Sequence, residues 1–150
     1  MAINTVPPFP TTALAPSVTL AAVTACSTRA PTAVAGLAAA NIFSLLPSAS
    51  VGSYMARIDK IHVNACSSSI TAATVAQTVL IWLNDGTTAW VIDEIAVTAA
   101  TPSTTAVAFS SEKFYANFVI PTGYSIYVST TVTTTASTTA LQVTLFGGAY

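Results

Sequence analysis

Two hydrophobic runs separated by a short polar turn dominate the pattern of the chain. The first run, residues 79–83, is apolar at every position, and the second, residues 89–97, mixes apolar with polar positions. Asp85 and Gly86 lie between them, and glycine accepts the positive φ that tight hairpin turns require. Because successive side chains of a strand point to opposite faces, the first run must be covered on both sides. The pattern predicts a hairpin whose first strand is central in a β-sandwich.

The second strand of this hairpin is expected to present different residues on its two faces. One face should carry Ala89, Val91, Asp93, Ile95 and Val97, and the other Trp90, Ile92 and Glu94. Asp93 and Glu94 are then on opposite faces, so they cannot act on one substrate as a catalytic acid and base.

Shorter hydrophobic or alternating segments fill the rest of the chain. Strands are predicted at residues 18–28, 41–46, 54–66, 105–109, 114–120, 124–128 and 141–146. Residues 33–46 include an alanine run without alternation, and this run also permits a short helix. The last two strands alternate cleanly, and the residues expected to point inward are Ile126, Val128, Leu141, Val143 and Leu145. The alternation changes phase near Asp59 and Lys60, which indicates a bulge. About eight strands predict an all-β fold, a single antiparallel β-sandwich with a jelly-roll-like order.

Residues 1–17 are a different kind of segment, in which proline and threonine replace the alternation. Proline removes a backbone donor and fixes φ, so we expect an extended arm rather than a sheet strand, followed by a sandwich domain at residues 18–150. The residues expected to grip a neighbouring subunit or a larger shell are Ile3, Val6, Pro7, Pro8, Phe9 and Pro10. An arm that folds back on its own domain is the alternative.

Charge is unusually scarce for a chain of 150 residues. Hydrophobic residues make up 53% and charged residues 6%, where soluble domains carry about 25% charged residues. Four Lys and Arg against five Asp and Glu leave a net charge of −1, which excludes the basic footprint of a nucleic-acid binder. Nearly neutral chains repel one another little. The composition predicts a surface covered by other copies, and a secreted or thermally robust β domain solubilised by hydroxyl groups is the alternative.

Long uncharged stretches raise the question of a membrane segment. Residues 1–28 and 30–56 contain no charged side chain, and four prolines interrupt the first of these stretches. The apolar part between Pro31 and Pro47 is too short for a helix across about 30 Å of hydrocarbon. No Lys or Arg precedes the first apolar residues, as a secretion signal would require. The sequence therefore predicts neither a membrane partner nor a leader.

Few residues carry the chemistry of catalysis or metal binding. His62 is the single histidine, expected on a strand face, and no group of His, Cys or carboxylate residues has the spacing of a zinc site. Cys26 and Cys66 are predicted to be free thiols rather than a disulfide. The chain has neither a Gly-x-Ser-x-Gly elbow nor a glycine-rich phosphate loop. We predict no catalytic residue, no metal and no cofactor, and a protein that is not an enzyme.

Two local groups contain charges of both signs. Arg57, Asp59 and Lys60 cluster near the start of one predicted strand, and Glu112 is adjacent to Lys113. Local ion pairs are the ordinary explanation of both groups. In a chain so poor in charge, Arg57, Asp59 and Lys60 are also candidates for contacts between subunits, where charges set the register of an interface.

Four short motifs in residues 57–150 occur in an order that resembles small virion proteins of tailed bacteriophages. They are IDKI at 58–61, IWLNDG at 81–86, VIPTGYSI at 119–126 and the ending LFGGAY at 145–150. The resemblance implies a β-sandwich decoration or cement protein that stands as a homotrimer on a phage capsid and braces the major capsid protein. It implies a location on the virion, after assembly in the host cytoplasm. The first fifty residues carry no part of the resemblance.

Two other functions compete with this expectation. One is a tail or head-fibre component that contacts the host, which is also structural. The other is a carbohydrate-binding module with Trp82, Trp90, Tyr124 and Tyr127 as a stacking surface. A structure that places these aromatic residues inside the sandwich would count against the second.

Overall fold

The computed structural model describes residues 10–33, 41–52, 55–136 and 139–150, and these residues form ten β-strands and one short 3-10 turn at Ser48–Ser50. The strands are β1 (Thr12–Leu14), β2 (Ser17–Leu20), β3 (Thr32–Ala33), β4 (Phe43–Leu46), β5 (Met55–Ala65), β6 (Gln77–Asn84), β7 (Thr88–Val97), β8 (Ser110–Pro121), β9 (Ser125–Thr130) and β10 (Leu141–Ala149). None of the described residues forms an apolar helix of the length that a membrane crossing needs.

The strands form two five-stranded antiparallel sheets. In sheet 1, β10 pairs with β1 and β2 on one side and with β5 on the other, and β8 follows β5. In sheet 2 the order is β3-β7-β6-β9-β4. Apart from the β6–β7 hairpin, the connections from β4 to β10 cross from one sheet to the other. The prediction of an all-β antiparallel sandwich is confirmed, and the jelly-roll order within that class stays a prediction.

The main core lies between the inner faces of the two sheets. All five residues predicted to point inward on the last two strands belong to it and are fully buried: Ile126, Val128, Leu141, Val143 and Leu145. Val79 and Ile81 of the central strand β6 pack against them. At about 25 cal/mol per Å² of apolar area, burial of this kind is the main contribution to folding.

The central strand β6 is covered on both sides, as the apolar run predicted. Leu80 and Trp82 point away from the main core into a second cluster, which Cys26, Ile42 and Ala89 complete. Cys26 reaches the second cluster because the chain leaves sheet 1 after Leu20 and runs to sheet 2, where the Cys26 backbone N–H donates to the carbonyl of Thr130 in β9. The prediction of one strand over residues 18–28 is therefore wrong beyond Leu20.

The bulge predicted near Asp59 is present. Ile58 pairs with Gly147 and Lys60 with Phe146, which leaves Asp59 as the extra residue of β5. Because of this insertion, both Ile58 and Ile61 reach the core although three positions separate them.

A second bulge overturns the predicted faces of β7. Ile81 pairs with Asp93 and Trp82 with Val91, so Ile92 is an extra residue. Ala89 and Val91 therefore join the second cluster, whereas Ile95 and Val97 enter the main core. Ile95 and Val97 share a face with Asp93, as predicted, but the prediction that Ala89 and Val91 lie on that face is wrong, because a single inserted residue exchanges the faces of a strand.

Two further predictions are corrected. Residues 12–14 of the predicted arm form β1, which pairs with Ala149, Gly148 and Gly147 of β10. This part of the segment thus folds back on its own domain. Residues 105–109 are not a strand, because the hydroxyl of Ser103 accepts hydrogen bonds from the backbone N–H groups of Thr105 and Ala106 and holds them in a turn. Residues 34–40, where a short helix was the alternative, lie outside the described residues.

Candidate interaction surface

The outer face of sheet 1 brings together the three charged residues predicted to make subunit contacts, Arg57, Asp59 and Lys60. Since Ile58 and Ile61 point into the core, Lys60 and His62 of β5 point outward. Cross-strand pairing places three rows on this surface: Phe146, Lys60 and Phe114; Thr144, His62 and Glu112; and Gln142, Asn64 and Ser110. We call this surface the outer face.

Lys60 is held at the centre of the first row. Its Nζ donates a hydrogen bond to Glu112 Oε1 at 2.6 Å. The same Nζ lies 5.7 Å from the centroid of the Phe114 ring and 4.8 Å from that of Phe146, within the range of cation–π attraction. The hydrogen bond from Lys60 lowers the pKa of the Glu112 carboxyl. The ammonium charge is thus neutralised between two aromatic rings.

The other predicted contact residues pair with each other beside this row. Arg57 Nε donates to Asp59 Oδ1 at 2.9 Å, and this hydrogen bond raises the pKa of the Arg57 guanidinium. Lys60 does not take part in this pair. The predicted local pairing of Glu112 with Lys113 is wrong, because adjacent residues of β8 point to opposite faces: Glu112 binds Lys60, and Lys113 binds Asp93.

One residue of the predicted arm also lies on the outer face. A methyl group on Gly148 would come within 2.4 Å of Pro10 Cβ, which shows that the proline ring covers this glycine. The backbone N–H of the next residue, Thr11, donates to the Ala149 carbonyl at 2.8 Å. The other predicted arm contacts, Ile3, Val6, Pro7, Pro8 and Phe9, lie outside the described residues.

A second polar cluster joins the two sheets away from the outer face. The Tyr115 hydroxyl of β8 donates to Asp93 Oδ2 at 2.6 Å, and Lys113 Nζ donates to Asp93 Oδ1. Glu94, on the opposite face of β7, accepts a 2.6 Å hydrogen bond from Arg29 Nε. The prediction that Asp93 and Glu94 point to opposite faces is confirmed.

The environment of this cluster shifts two pKa values in opposite directions. Burial opposes ionisation of Asp93, but hydrogen bonds from Lys113, Tyr115 and the Glu94 backbone N–H outweigh it and lower its pKa. Burial first, and then the bond to Asp93, raise the pKa of Tyr115 far above its ordinary value. Asp93 therefore stays ionised and Tyr115 protonated at neutral pH, which suits a structural link between sheets.

These shifts predict a stability that falls at both ends of the pH range. The unfolded chain binds a proton at Asp93 more readily than the folded chain, so this contribution is present above about pH 4 and is lost in more acidic solution. The contribution of Tyr115 is present below about pH 10 and is lost as pH rises further. We expect Tyr115→Phe to flatten the alkaline decline, as measured by urea unfolding between pH 8 and 11. An alkaline slope equal to that of the wild type would contradict this account.

The same measurement at acid pH tests Asp93. Asp93→Asn should make the decline below about pH 4 shallower without abolishing it. Asp85 keeps a lowered pKa because the backbone N–H groups of Thr88 and Thr87 bind its carboxylate, and Glu112 keeps one through Lys60. An unchanged acid limb in this variant would show that Asp93 is not linked to folding.

The remaining chemistry-bearing side chains are dispersed. His62 Nε2 lies 2.8 Å from Ser110 Oγ on the outer face. Cys26 and Cys66 are free thiols, as predicted, and burial raises the pKa of Cys66. Within the described ranges, no three His, Cys, Asp or Glu residues come close enough to hold a metal ion.

The four aromatic residues considered for sugar stacking do not share one open surface. Trp82 is fully buried, and its Nε1 donates to Ser129 Oγ at 2.8 Å. Tyr127 pairs with Trp82 and packs against the second cluster, whereas Trp90 pairs with Leu83 on the opposite face of sheet 2. Tyr124 packs against the main core. Their arrangement speaks against a common stacking platform.

A small cavity lies among the loops at one end of the sandwich. Its volume is about 290 Å³, and alanine and serine side chains line most of it, with Ile70 and Pro102. Ser67 Oγ in its wall is buried and has no hydrogen-bond partner. The lining contains no charged group, so the cavity has none of the acids or bases that catalysis by side chains requires.

Comparison of the chain with protein-family models, with curated proteins and with solved structures gives no match. The resemblance of residues 57–150 to phage virion proteins therefore stays a prediction. The features that bear on function are those of the chain itself: a nearly neutral sandwich, ion pairs that close within the chain, and an outer face centred on Lys60 and Phe114.

Proposed function

We propose that this chain is a non-enzymatic structural subunit of a virion, a decoration or cement protein that binds a phage capsid as a homo-oligomer, with a trimer as the expected state. In this role its partners are other copies of itself and the major capsid protein. The protein acts by covering and bracing a surface, so shape and apolar area matter more than reactive groups.

The observation that carries the proposal is the internal neutralisation of the cations. All four cationic side chains of the chain have a carboxylate partner in the same chain: Arg29 with Glu94, Arg57 with Asp59, Lys60 with Glu112, and Lys113 with Asp93. Recruitment of nucleic acid or of an anionic lipid surface requires cations that are available to the phosphates. A neutral surface with exposed apolar side chains instead suits contacts between proteins.

Attachment of this kind should be insensitive to salt. Exposed ion pairs contribute about 0–1 kcal/mol each and are screened, whereas apolar burial and backbone hydrogen bonds are not. We expect the chain to remain with purified particles after a wash in 1 M NaCl, as detected by immunoblotting of density-gradient fractions. Release into the soluble fraction by the salt wash would contradict the proposed mode of attachment, and its absence from particles at low salt would contradict the proposed function.

A truncated variant tests the predicted arm in the same experiment. The deletion should end at residue 9, because Thr11 and Thr12 bind Ala149 in sheet 1 and belong to the domain. We expect the truncated chain to keep its far-UV circular dichroism spectrum but to coat particles at reduced occupancy. Full occupancy would show that residues 1–9 do not contribute to attachment.

A further inference from the structure

The outer face has the exposure of a contact surface. Phe114 is 71% exposed and is the one aromatic ring among the exposed large hydrophobic side chains of the described residues. Val119, 42% exposed, pairs with Arg57 and so lies on the same side of the sheet. Two large apolar groups on one strand lose contact with water only if another surface covers them.

The charged groups of this face are arranged for burial. The Lys60 ammonium binds Glu112 and contacts two aromatic rings. These partners would still offset its charge if another protein covered the outer face. A charge that is already paired and hydrogen-bonded is far less costly to remove from water than an isolated one. Arg57 and Asp59 form the second such pair.

The charges of the outer face favour a partner without a strong net charge. The face contains two cations, Arg57 and Lys60, and two anions, Asp59 and Glu112. A strongly acidic or basic partner would place like charges against half of them, which interfaces avoid. A second copy presents the same balanced set, and a net charge of −1 gives two copies little mutual repulsion.

The position of β8 leaves room for such a partner. β8 pairs with β5 on one side, and among the described residues no strand pairs with its other side. Strands at the edge of a sheet accept neighbouring chains readily. A copy bound to the outer face can therefore extend past β8 without meeting another described strand of this chain.

We infer that the outer face binds a second copy of this chain, with Phe114 and Lys60 at the centre of the contact. The inference rests on the proposed function, because it assigns to one surface the self-association that this function requires.

The test is sedimentation velocity of the full chain over a range of concentrations. Phe114→Ser should raise the dissociation constant of the oligomer at least about tenfold, since a central aromatic residue commonly contributes this much or more. Val107→Ser is the matched control, because Val107 is 90% exposed but lies in the loop before β8. The control should associate like the wild type, and both variants should keep the wild-type thermal unfolding curve at dilutions where all three chains are monomeric.

A charge exchange provides the second arm. Lys60→Glu places an acidic group beside Glu112 and should weaken association, and the double variant Lys60→Glu, Glu112→Lys should restore it by restoring the pair. A wild-type chain that stays monomeric, or a Phe114→Ser variant that associates like the wild type, would overturn the inference. Recovery of the chain on particles is measured separately, so failure of this contact can be distinguished from failure of the proposed function.

Discussion

Replacing Trp82 with alanine is expected to lower the free energy of unfolding by about 3–5 kcal/mol. Trp82 is the largest fully buried side chain of the described residues, and it fills the second cluster between Cys26, Ile42 and Ala89. Alanine would leave a cavity there, and Ser129 Oγ would lose the indole N–H that donates to it at 2.8 Å. Since domains are stable by about 5–15 kcal/mol, this loss is a large part of the total.

Urea unfolding followed by far-UV circular dichroism measures this effect without relying on tryptophan fluorescence. The matched control is Trp90→Ala, because Trp90 is half-buried and its loss should cost clearly less. Trp82→Ala should therefore unfold at a lower urea concentration than Trp90→Ala. If both variants unfold at the same urea concentration, the second cluster does not stabilise the sandwich as its burial indicates.

Replacing Gly147 with alanine is expected to have the second large effect. We expect it to lower the free energy of unfolding by about 3 kcal/mol. A methyl group at this position would lie 2.0 Å from the carbonyl oxygen of Arg57, a backbone atom of the paired strand β5. Gly147 is also where the register of β10 against β5 shifts. In an ordinary strand position the same substitution is favourable by roughly 0.5–1 kcal/mol, so the predicted sign is the opposite of the intrinsic preference.

Gly148→Ala is the control for Gly147→Ala, because it replaces a clash with backbone by a clash with a side chain. The added methyl group there would meet the ring of Pro10 rather than a neighbouring strand. Pro10 is exposed, so its displacement should cost about 1 kcal/mol, within the usual range for single substitutions. Equal losses of stability in the two variants, measured by urea unfolding, would contradict the close approach of β10 to β5.

Local features of the fold could be predicted from the sequence because their causes lie within a few residues. The turn between β6 and β7 follows from Asp85, whose Oδ1 accepts the N–H groups of Thr87 and Thr88 at 2.9 and 2.8 Å, and from Gly86 at φ 99°. The bulge at Asp59 was visible as a change of phase along one strand. Both signals require no knowledge of the partner strands.

Apart from the local turn at Ser103, the errors concern features that depend on distant parts of the chain. The bulge at Ile92 arises from the pairing of β7 with β6, and the mixed apolar and polar pattern of β7 gave no sign of it. The segment at Thr12–Leu14 becomes a strand because β10, more than a hundred residues later, offers it an edge.

The composition of the outer face was only partly predictable for the same reason. Arg57, Asp59 and Lys60 were identified from their spacing, but Glu112 is 52 residues from Lys60, and Phe114 and Phe146 meet it only across strands. Exposure of Phe114 could not be read from the strand, because the other two aromatic residues of β8, Tyr115 and Phe118, are partly buried.

Locating the chain in an intact particle by electron microscopy tests the central claim most directly. We expect density for the sandwich at regular positions on the outside of a capsid shell, with copies of the chain in contact with the shell and with one another. A particle that lacks this density, from cells in which the chain is abundant as a free monomer, would contradict the assignment of a structural role.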